Sequence, residues 1–161
     1  MRKIHLIFTR SLNHVIGHEG KLLWASADFV NHIVKLTKGQ AVLMGRKTWE
    51  LFGCVRDAQT IVLTHQKDFA AKGASVYHDI YDVLNDIADK DIWVLGGADV
   101  FKQMLQFADE VVVGTVQTKV DGDTRFEFAS LISAPTTIEI GEAFAAGDEY
   151  SVRIEHYDLK A

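Results

Sequence analysis

The chain has 161 residues, 48% of them apolar and 24% charged, which is enough to bury one core and predicts a single domain over residues 1–161. A net charge of −5 without any basic cluster does not indicate a nucleic-acid surface, and no apolar run is long enough for a membrane span or a signal peptide. The single cysteine, Cys54, excludes an internal disulfide and favours a reducing cytoplasm.

Short apolar runs alternate with segments of helical periodicity along most of the chain. In chain order we predict a strand at 3–9, a loop at 18–23, a helix at 27–36, a strand at 41–44, a helix opening at 45–48, strands at 60–64 and 75–78, a helix at 80–88, a strand at 92–95, a helix at 98–107, and strands at 110–118, 137–140 and 150–157. Strands joined by helices predict an α/β fold whose mostly parallel sheet carries helices on both faces. The last two strands predict an antiparallel edge.

Two glycine turns follow buried strands of this predicted sheet. Strand 41–44 leads into Gly45-Arg46-Lys47-Thr48, and strand 92–95 leads into Gly96-Gly97-Ala98. Ligands of open α/β sheets bind beyond the carboxyl ends of the strands, and glycine lets a phosphate approach backbone N–H groups there. Two such turns suit a dinucleotide, although neither is a GxGxxG or Walker motif and both also fit a plain helix start.

The motifs of the whole chain resemble those of the dihydrofolate reductase family. The segments that carry the resemblance, in order, are Val15-Ile16-Gly17, Gly20-Lys21-Leu22-Leu23-Trp24, Met44-Gly45-Arg46-Lys47-Thr48-Trp49-Glu50, Ile61-Val62-Leu63-Thr64, Trp93-Val94-Leu95-Gly96-Gly97-Ala98, Ala108-Asp109-Glu110 and Gly122-Asp123-Thr124-Arg125-Phe126. The resemblance covers residues 3–157. It implies an eight-stranded sheet with about four helices and an NADPH-dependent hydride transfer to a small dihydropterin, in a cytoplasmic monomer without a metal.

The resemblance also implies roles on the cofactor side. By similarity, Arg46, Lys47 and Thr48 hold the adenosine-side phosphates, and Thr64 and His65 lie at the 2′-phosphate. The other residues expected around the cofactor are Thr9, Ile16, Gly17, Gly45, Gly96, Gly97, Ala98, Asp99, Val100 and Phe101. The segment 18–24 resembles a mobile lid, and Asp123 resembles its latch. Asp99 stands where a cation often helps to bind the 2′-phosphate, which leaves NADH open beside NADPH.

The substrate side departs from the family at the residue expected to be the pterin-binding carboxylate. The family has an acidic residue five positions after the lid tryptophan, which here is Trp24, and that position is Phe29. Asp28 comes one residue too early, and one residue turns a helix by about 100°. An alternative register with a shortened loop returns Asp28 to the pocket and gives His32 the place of a substrate-packing aromatic residue. The resemblance makes Asp28, Trp24 and Leu22 the catalytic candidates, with Trp24 positioning a water molecule.

Other positions of the expected substrate pocket have also changed. Gly114 replaces a threonine, Ala58 replaces an arginine that grips the substrate's glutamate tail, with Arg56 two residues away, and Phe8 replaces a small residue. The residues expected at the substrate are Ile7, Phe8, Phe29, His32, Ile33, Phe52, Arg56, Leu95 and Gly114.

Three hypotheses about function follow from this pattern. The first is a dihydrofolate reductase, including one that resists diaminopyrimidine antifolates. The second is a reductase of the same fold that acts on another pterin or an aminopyrimidine. The third is a nucleotide-binding protein without catalysis. The lid, latch and cofactor segments all resemble those of the family. This favours the first hypothesis, because a bare binding protein needs no lid.

Overall fold

A computed structural model of the chain describes residues 1–18, 21–22, 27–126, 137–145 and 148–159, with side chains described outside 17–30 and 127–152. The strands are β1 Ile4–Ser11, β2 Val15–His18, β3 Lys21–Leu22, β4 Ala41–Gly45, β5 Gln59–Leu63, β6 Ser75–Tyr77, β7 Ile92–Gly96, β8 Glu110–Val116, β9 Thr124–Arg125, β10 Thr137–Ala145 and β11 Asp148–Asp158. The helices are α1 Ala27–Thr37, α2 Arg46–Phe52, α3 Ile80–Asp86 and α4 Ala98–Met104, and a 3₁₀ turn, Leu105–Phe107, follows α4.

Eight strands form one sheet in the order β10-β11-β8-β1-β7-β4-β5-β6. The six strands from β8 to β6 in this order run parallel, while β11 is antiparallel to β8 and β10 is antiparallel to β11. The predicted parallel sheet with an antiparallel carboxyl-terminal edge is therefore confirmed. The carboxyl ends of β1, β4, β5 and β7 meet at one edge of the sheet.

Both faces of the sheet are covered by helices. Successive side chains of a strand point to opposite faces, so β1 buries Leu6 on one side and Ile7 on the other. On the first face the core includes Val83 of α3 and Phe101 of α4. On the second face Ile33 of α1 packs against the sheet. Each such side chain contributes about 1.5–3 kcal/mol when it is fully buried.

Local signals in the sequence explain where several helices begin and end. Asp79 caps α3, because its carboxylate accepts a hydrogen bond of 2.8 Å from the Tyr81 N–H. Gly53 ends α2 with φ +67°, a conformation that favours glycine, and its N–H bonds to the Trp49 carbonyl. The Thr37 hydroxyl donates to the Ile33 carbonyl at the end of α1.

The predicted loop at 18–23 is wrong in part, because β2 and β3 form a small sheet with β9. Gly17 pairs with Leu22 in one direction and with Thr124 in the other. These strands have two to four residues and show no apolar alternation, so their pairing is set by main-chain contacts that the sequence pattern does not reveal. The predicted helix at 98–107 is also shorter, since its last turn is the 3₁₀ segment. No helix follows β5 before β6.

A buried histidine joins the amino ends of three parallel strands. His5 of β1 is 7% exposed and stacks on Trp93 of β7, with ring centroids 4.0 Å apart. Its Nε2 lies 3.0 Å from Asp91 Oδ2, and its Nδ1 lies 3.3 Å from Glu110 Oε1. Because both neighbours are carboxylates, both ring nitrogens can donate at the same time only when the imidazole is protonated, so this arrangement favours the charged ring.

The environment of His5 agrees with that charge. Burial lowers the pKa of His5, but the hydrogen bonds and charges of Glu110 and Asp91 outweigh it and raise the pKa above its ordinary value of 6.5. The bond with His5 holds the pKa of Glu110 below 4.5. Burial raises the pKa of Asp91, yet the Lys3 N–H and His5 together leave it below 3.8. This cluster lies at the amino ends of the parallel strands, on the opposite side of the sheet from the carboxyl ends where ligands of such sheets bind.

Within the described ranges, none of the helices is both long and apolar enough to cross a membrane.

Candidate active site

A cavity of about 690 Å³ opens at the carboxyl ends of β4, β5 and β7. Its lining consists of Ile16, Gly45, Arg46, Lys47, Thr48, Leu51, Leu63, Thr64, His65, Gln66, Gly97, Ala98, Asp99, Val100, Gln103, Asp123 and Thr124. Most of the residues expected at the cofactor thus lie around one cavity, which we call the large cavity. Its volume falls within the range of about 300–1,000 Å³ that is common for ligand sites.

Two glycine turns form the floor of the large cavity. Helices α2 and α4 begin directly after Gly45 and Gly97, and neither glycine provides a side-chain cap. The first N–H groups of both helices are therefore open to a ligand. A methyl group at Gly45 would lie 3.3 Å from Val100 and 3.8 Å from the Gly97 nitrogen. A methyl group at position 45 would therefore be in ordinary contact with the second turn, and the Val100 side chain would have to shift by a few tenths of an ångström.

Gly96 has a second reason to be glycine. Its φ is +126°, a conformation that side chains rarely adopt, and an added methyl group would lie 3.3 Å from the Phe101 ring. The peptide bond between Gly96 and Gly97 is cis. Thr48 is buried, and its hydroxyl lies under both glycines, 3.7 Å and 3.9 Å from their ideal Cβ positions.

Charged side chains of both signs surround the large cavity. Arg46 and Lys47 supply positive charge, and Arg46 Nη1 lies 2.7 Å from Glu50 Oε1, one helical turn away. Asp99 and Asp123 supply negative charge. A polyanionic ligand would therefore bind on the side of the cavity where Arg46 and Lys47 lie. The Arg46 guanidinium pairs with Glu50 and can donate its remaining N–H groups to such a ligand.

A much smaller space, about 40 Å³, lies between β1 and α1, and we call it the junction. It is lined by Ile7, Phe8, Thr9, Ile16, Ile33, Phe52, Leu95, Gly96, Gly97 and Phe101. The junction shares Ile16 and Gly97 with the large cavity. All but one of the side chains in its described lining are apolar, and the exception is the Thr9 hydroxyl. Apolar surroundings of this kind strengthen electrostatic interactions, because the local dielectric constant is lower than that of water.

A third space of about 200 Å³, which we call the outer groove, lies beside the junction and shares Ile33, Phe52 and Leu95 with its lining. It is lined by Asn31, Ile33, Val34, Phe52, Cys54, Val55, Arg56 and Leu95. The Arg56 side chain is 75% exposed, and its Nε lies 4.0 Å from the Asp57 carboxylate. An exposed arginine at the mouth of an apolar groove can meet a carboxylate at the far end of a substrate.

Some residues expected at the substrate lie elsewhere. His32 is exposed, and the described linings of the three spaces contain Asn31 but not His32. One residue of helical rotation, about 100°, carries His32 away from the groove. Gly114 pairs with Thr9 across β8 and β1 and is also outside these linings. Thr9, Gly96 and Phe101, which were expected at the cofactor, line the junction and are not in the described lining of the large cavity.

Several residues that were not among the predicted site residues also line these spaces. They are Leu51, Leu63, Gln66, Gln103 and Thr124 at the large cavity and Asn31, Val34, Cys54 and Val55 at the outer groove. Gln66 follows the predicted Thr64-His65 pair and could have been inferred from that adjacency. Leu51, Gln103, Asn31 and Val34 lie on helix faces whose orientation depends on tertiary packing. The remaining four lie on the strands β5 and β9 or directly after α2.

The lid candidates fall mostly outside the described residues. Trp24 lies outside the described residues, and for Gly17, Leu22, Asp28 and Phe29 only the backbone is described. The backbone of β2 and β3 is described, and β2 pairs with β9 directly after Asp123. Asp123 is exposed at the rim of the large cavity and accepts a hydrogen bond of 3.0 Å from the Thr124 hydroxyl.

An α/β sheet with two glycine turns at the carboxyl ends of its strands, a large cavity around them and a small apolar space beside it is typical of nucleotide-binding enzymes. The sequence profile of the family described as dihydrofolate reductase matches residues 3–157. The chain therefore belongs to the dihydrofolate reductase family, and as a member it is an NADPH-dependent oxidoreductase.

Relatives and solved structures agree with that assignment. The chain is similar to the dihydrofolate reductase of Staphylococcus aureus strain Mu50, with 30% identity over 124 residues, which is 76% of this chain and 77% of the relative. It is 30% identical over 123 residues to the Mycobacterium leprae strain TN enzyme, covering 73% of this chain and 74% of that one. It also resembles a solved dihydrofolate reductase from Enterococcus faecalis complexed with NADP(H) and RAB-propyl, at a TM-score of 0.85, 25% identity and coverage of 99% and 97%.

Proposed function

We propose that this chain reduces 7,8-dihydrofolate to tetrahydrofolate with NADPH, as a cytoplasmic monomer. The observation that carries the proposal is that the three spaces are neighbours: the junction shares lining residues with the large cavity on one side and with the outer groove on the other. This arrangement matches a phosphate-rich cofactor, a point of ring contact and an acceptor with a longer tail. NADPH, when bound, supplies a hydride from its nicotinamide ring.

The large cavity fits the adenosine and phosphate parts of the cofactor. Arg46 and Lys47 provide cations beside the open N–H groups at the start of α2. Thr64 and His65 lie together on the β5 side and would hold the 2′-phosphate. The carboxylate of Asp99 lines the same cavity and opposes an extra phosphate, so a preference for NADPH over NADH rests on Arg46 and His65 outweighing it.

The register of α1 supports Phe29, and not Asp28, at the substrate position. The helix runs from Ala27 to Thr37 without a break, and Ile33 faces the junction. Position 29 is four residues before Ile33, so it lies about 40° from Ile33 around the helix axis, whereas position 28 lies about 140° away. The alternative register would need one extra residue within the helix, relative to the family, to bring position 28 to the inner face. The regular helix from Ala27 to Thr37 does not favour it.

An apolar residue at position 29 changes how the acceptor is activated. A carboxylate there would favour protonation of the acceptor ring before hydride arrives. The described lining of the junction offers no titratable side chain in its place. The chain's contribution is then to orient the rings, to exclude water and to bind the tail near Arg56, and the proton comes from solvent or from a residue outside the described side chains.

The experiment that tests the function is NADPH consumption on addition of dihydrofolate, followed by absorbance. Turnover with dihydrofolate supports the proposal. NADPH binding with turnover only of another pterin or of an aminopyrimidine would support the second hypothesis, a reductase of the same fold with another acceptor. The changed residues on the substrate side are the reason to test it. Tight NADPH binding with no turnover of any of these acceptors would favour the non-catalytic hypothesis.

A further inference from the structure

The side chain of Asn13 makes a paired contact with a distant part of the chain. Asn13 lies in the turn between β1 and β2. Its Nδ2 donates to the Val120 carbonyl at 2.8 Å, and its Oδ1 accepts from the Val120 N–H at 3.2 Å, across 107 positions of sequence. One side chain thereby satisfies both main-chain polar groups of Val120, which lies in the segment 117–123 that connects β8 to β9.

A buried hydroxyl extends this contact to β2. Ser11, the last residue of β1, is fully buried. Its hydroxyl donates to Asn13 Oδ1 at 2.6 Å and accepts from the N–H of Val15, the first residue of β2, at 3.0 Å. These bonds form one connected network from Val15 through Ser11 and Asn13 to Val120, which we call the Asn13 network. Hydrogen bonds that are connected in this way strengthen one another.

Both segments that the Asn13 network joins carry residues of the proposed cofactor site. On β2, Ile16 follows Val15 directly and lines both the large cavity and the junction. The segment 117–123 ends at Asp123, which lines the large cavity. Beyond the network the two segments meet again, because β2 pairs with β9. The network is therefore a fixed point from which Ile16 and Asp123 extend toward the cavity.

The members of the network do not themselves line the cavities. Ser11, Asn13 and Val120 are absent from the described linings of the large cavity, the junction and the outer groove. The main chain also joins the turn to the segment, since the Leu12 N–H donates to the Thr118 carbonyl at 2.9 Å. A change at Asn13 leaves that bond in place. It loosens β2 and the segment 117–123 without removing an atom from the described linings.

We propose that Asn13 is a positioning residue for the cofactor, whose side chain holds β2 and the segment 117–123 in the arrangement that places Ile16 and Asp123 at the large cavity. This inference rests on the proposed function, because it takes NADPH as the ligand of that cavity. Without the Asn13 network the two segments adopt other arrangements as well. The apparent dissociation constant of the cofactor then rises in inverse proportion to the fraction that stays competent.

Asn13→Ala and Asn13→Asp test the proposal on the whole chain. Alanine removes both bonds to Val120, whereas aspartate keeps an oxygen acceptor for the Val120 N–H and loses only the donor. With about 1 kcal/mol for each neutral hydrogen bond, NADP⁺ should bind about thirtyfold more weakly to Asn13→Ala and about fivefold more weakly to Asn13→Asp. Fluorescence quenching measures both dissociation constants. Amide hydrogen exchange at Val15 and Val120, followed by NMR, should become faster in the same order.

The rate of hydride transfer separates positioning from catalysis. Bound cofactor selects the competent arrangement, so the single-turnover rate at saturating NADPH and dihydrofolate should stay within about threefold of the parent. Asp79→Ala is the matched control, because it also removes a side-chain bond of 2.8 Å to the main chain, at the start of α3 and outside the described linings. It should lower thermal stability without weakening NADP⁺ binding.

The results that would overturn the inference differ from those that would overturn the proposed function. If amide exchange becomes faster in Asn13→Ala while NADP⁺ affinity stays within twofold of the parent, Asn13 is only structural and the inference fails. It also fails if affinity falls without faster exchange, or if the saturated rate falls while affinity does not. Should Asn13→Ala not fold, the same comparisons are decided by Asn13→Asp. A parent that binds NADP⁺ but does not oxidise NADPH with dihydrofolate would overturn the proposed function alone, since the affinity ratios still decide the role of Asn13.

Discussion

Replacing His5 with glutamine should lower the stability of the protein by an amount that depends on pH. In the parent protein the His5 ring donates to Asp91 at 3.0 Å and to Glu110 at 3.3 Å. Hydrogen bonds to charged groups are worth about 1.5–3 kcal/mol each, but the second is long. The two carboxylate side chains are 33% and 34% exposed, so solvent screens both interactions. We expect a total loss of about 2 kcal/mol near pH 6, after that discount.

The sign of the pH dependence follows from the directions of the pKa shifts. The pKa of His5 is raised above 6.5 by folding, so its contribution is complete below 6.5 and is lost as pH rises through the folded value. The slope for one proton does not exceed about 1.4 kcal/mol per pH unit. The pKa values of Asp91 and Glu110 are lowered from 3.8 and 4.5, so their contribution is lost as pH falls through the folded values.

The difference in unfolding free energy between parent and His5→Gln should therefore be largest between about pH 5 and pH 6.5 and smaller on both sides. Urea denaturation at pH 4, 6 and 9 measures it, and the difference near pH 6 corresponds to about 4–8 °C in Tm for a domain of this size. A remainder at pH 9 comes from interactions that the neutral ring keeps, among them the stacking on Trp93, worth about 0.5–1.5 kcal/mol.

His156→Gln is the control for this prediction, because His156 Nδ1 lies 3.9 Å from the same Glu110 oxygen. The change at this longer contact should be smaller. A difference for His5→Gln that stays constant from pH 5 to pH 9 would mean that His5 is uncharged and acts through packing alone, and the reasoning above would be refuted.

Arg46→Ala should weaken NADPH binding by about 1.5–3 kcal/mol, the worth of a hydrogen bond to a charged group, and unchanged affinity in a fluorescence titration would remove the main cofactor assignment. Asp123→Ala should slow hydride transfer and loosen the cofactor without unfolding the chain, and equal single-turnover rates would argue against a latch. Asp28→Asn should be nearly silent if position 29 faces the substrate, because it changes only a first-turn charge worth about 0.3–1 kcal/mol. Phe29→Asp should then raise dihydrofolate reduction, whereas a loss of about 10²–10⁴ in turnover for Asp28→Asn would show that Asp28 enters the pocket after all.

The fold was predictable because its sheet is built from apolar runs whose order and spacing are visible locally. The strand at 92–95 and the helix after Gly97 follow from composition and glycine placement alone. The hairpin of β2 and β3 was not predictable, since Gly17 and Leu22 pair through the main chain. His5 was missed for another reason: its partners lie 86 and 105 residues away, and a single histidine in an apolar strand carries no local sign of them.

The two halves of the site differ in how far sequence could predict them, and the difference is physical. On the cofactor side the ligand is held by backbone N–H groups and two cations, so the required conformation appears in the sequence as glycines beside Arg46. On the acceptor side, function depends on volume. The space left between Phe8, Phe52 and Phe101 is a joint property of rings from three separate elements, and no one of these residues indicates it alone. The packing of several elements thus determines the shape of the junction, and the cofactor motifs that are visible in the sequence do not reveal it.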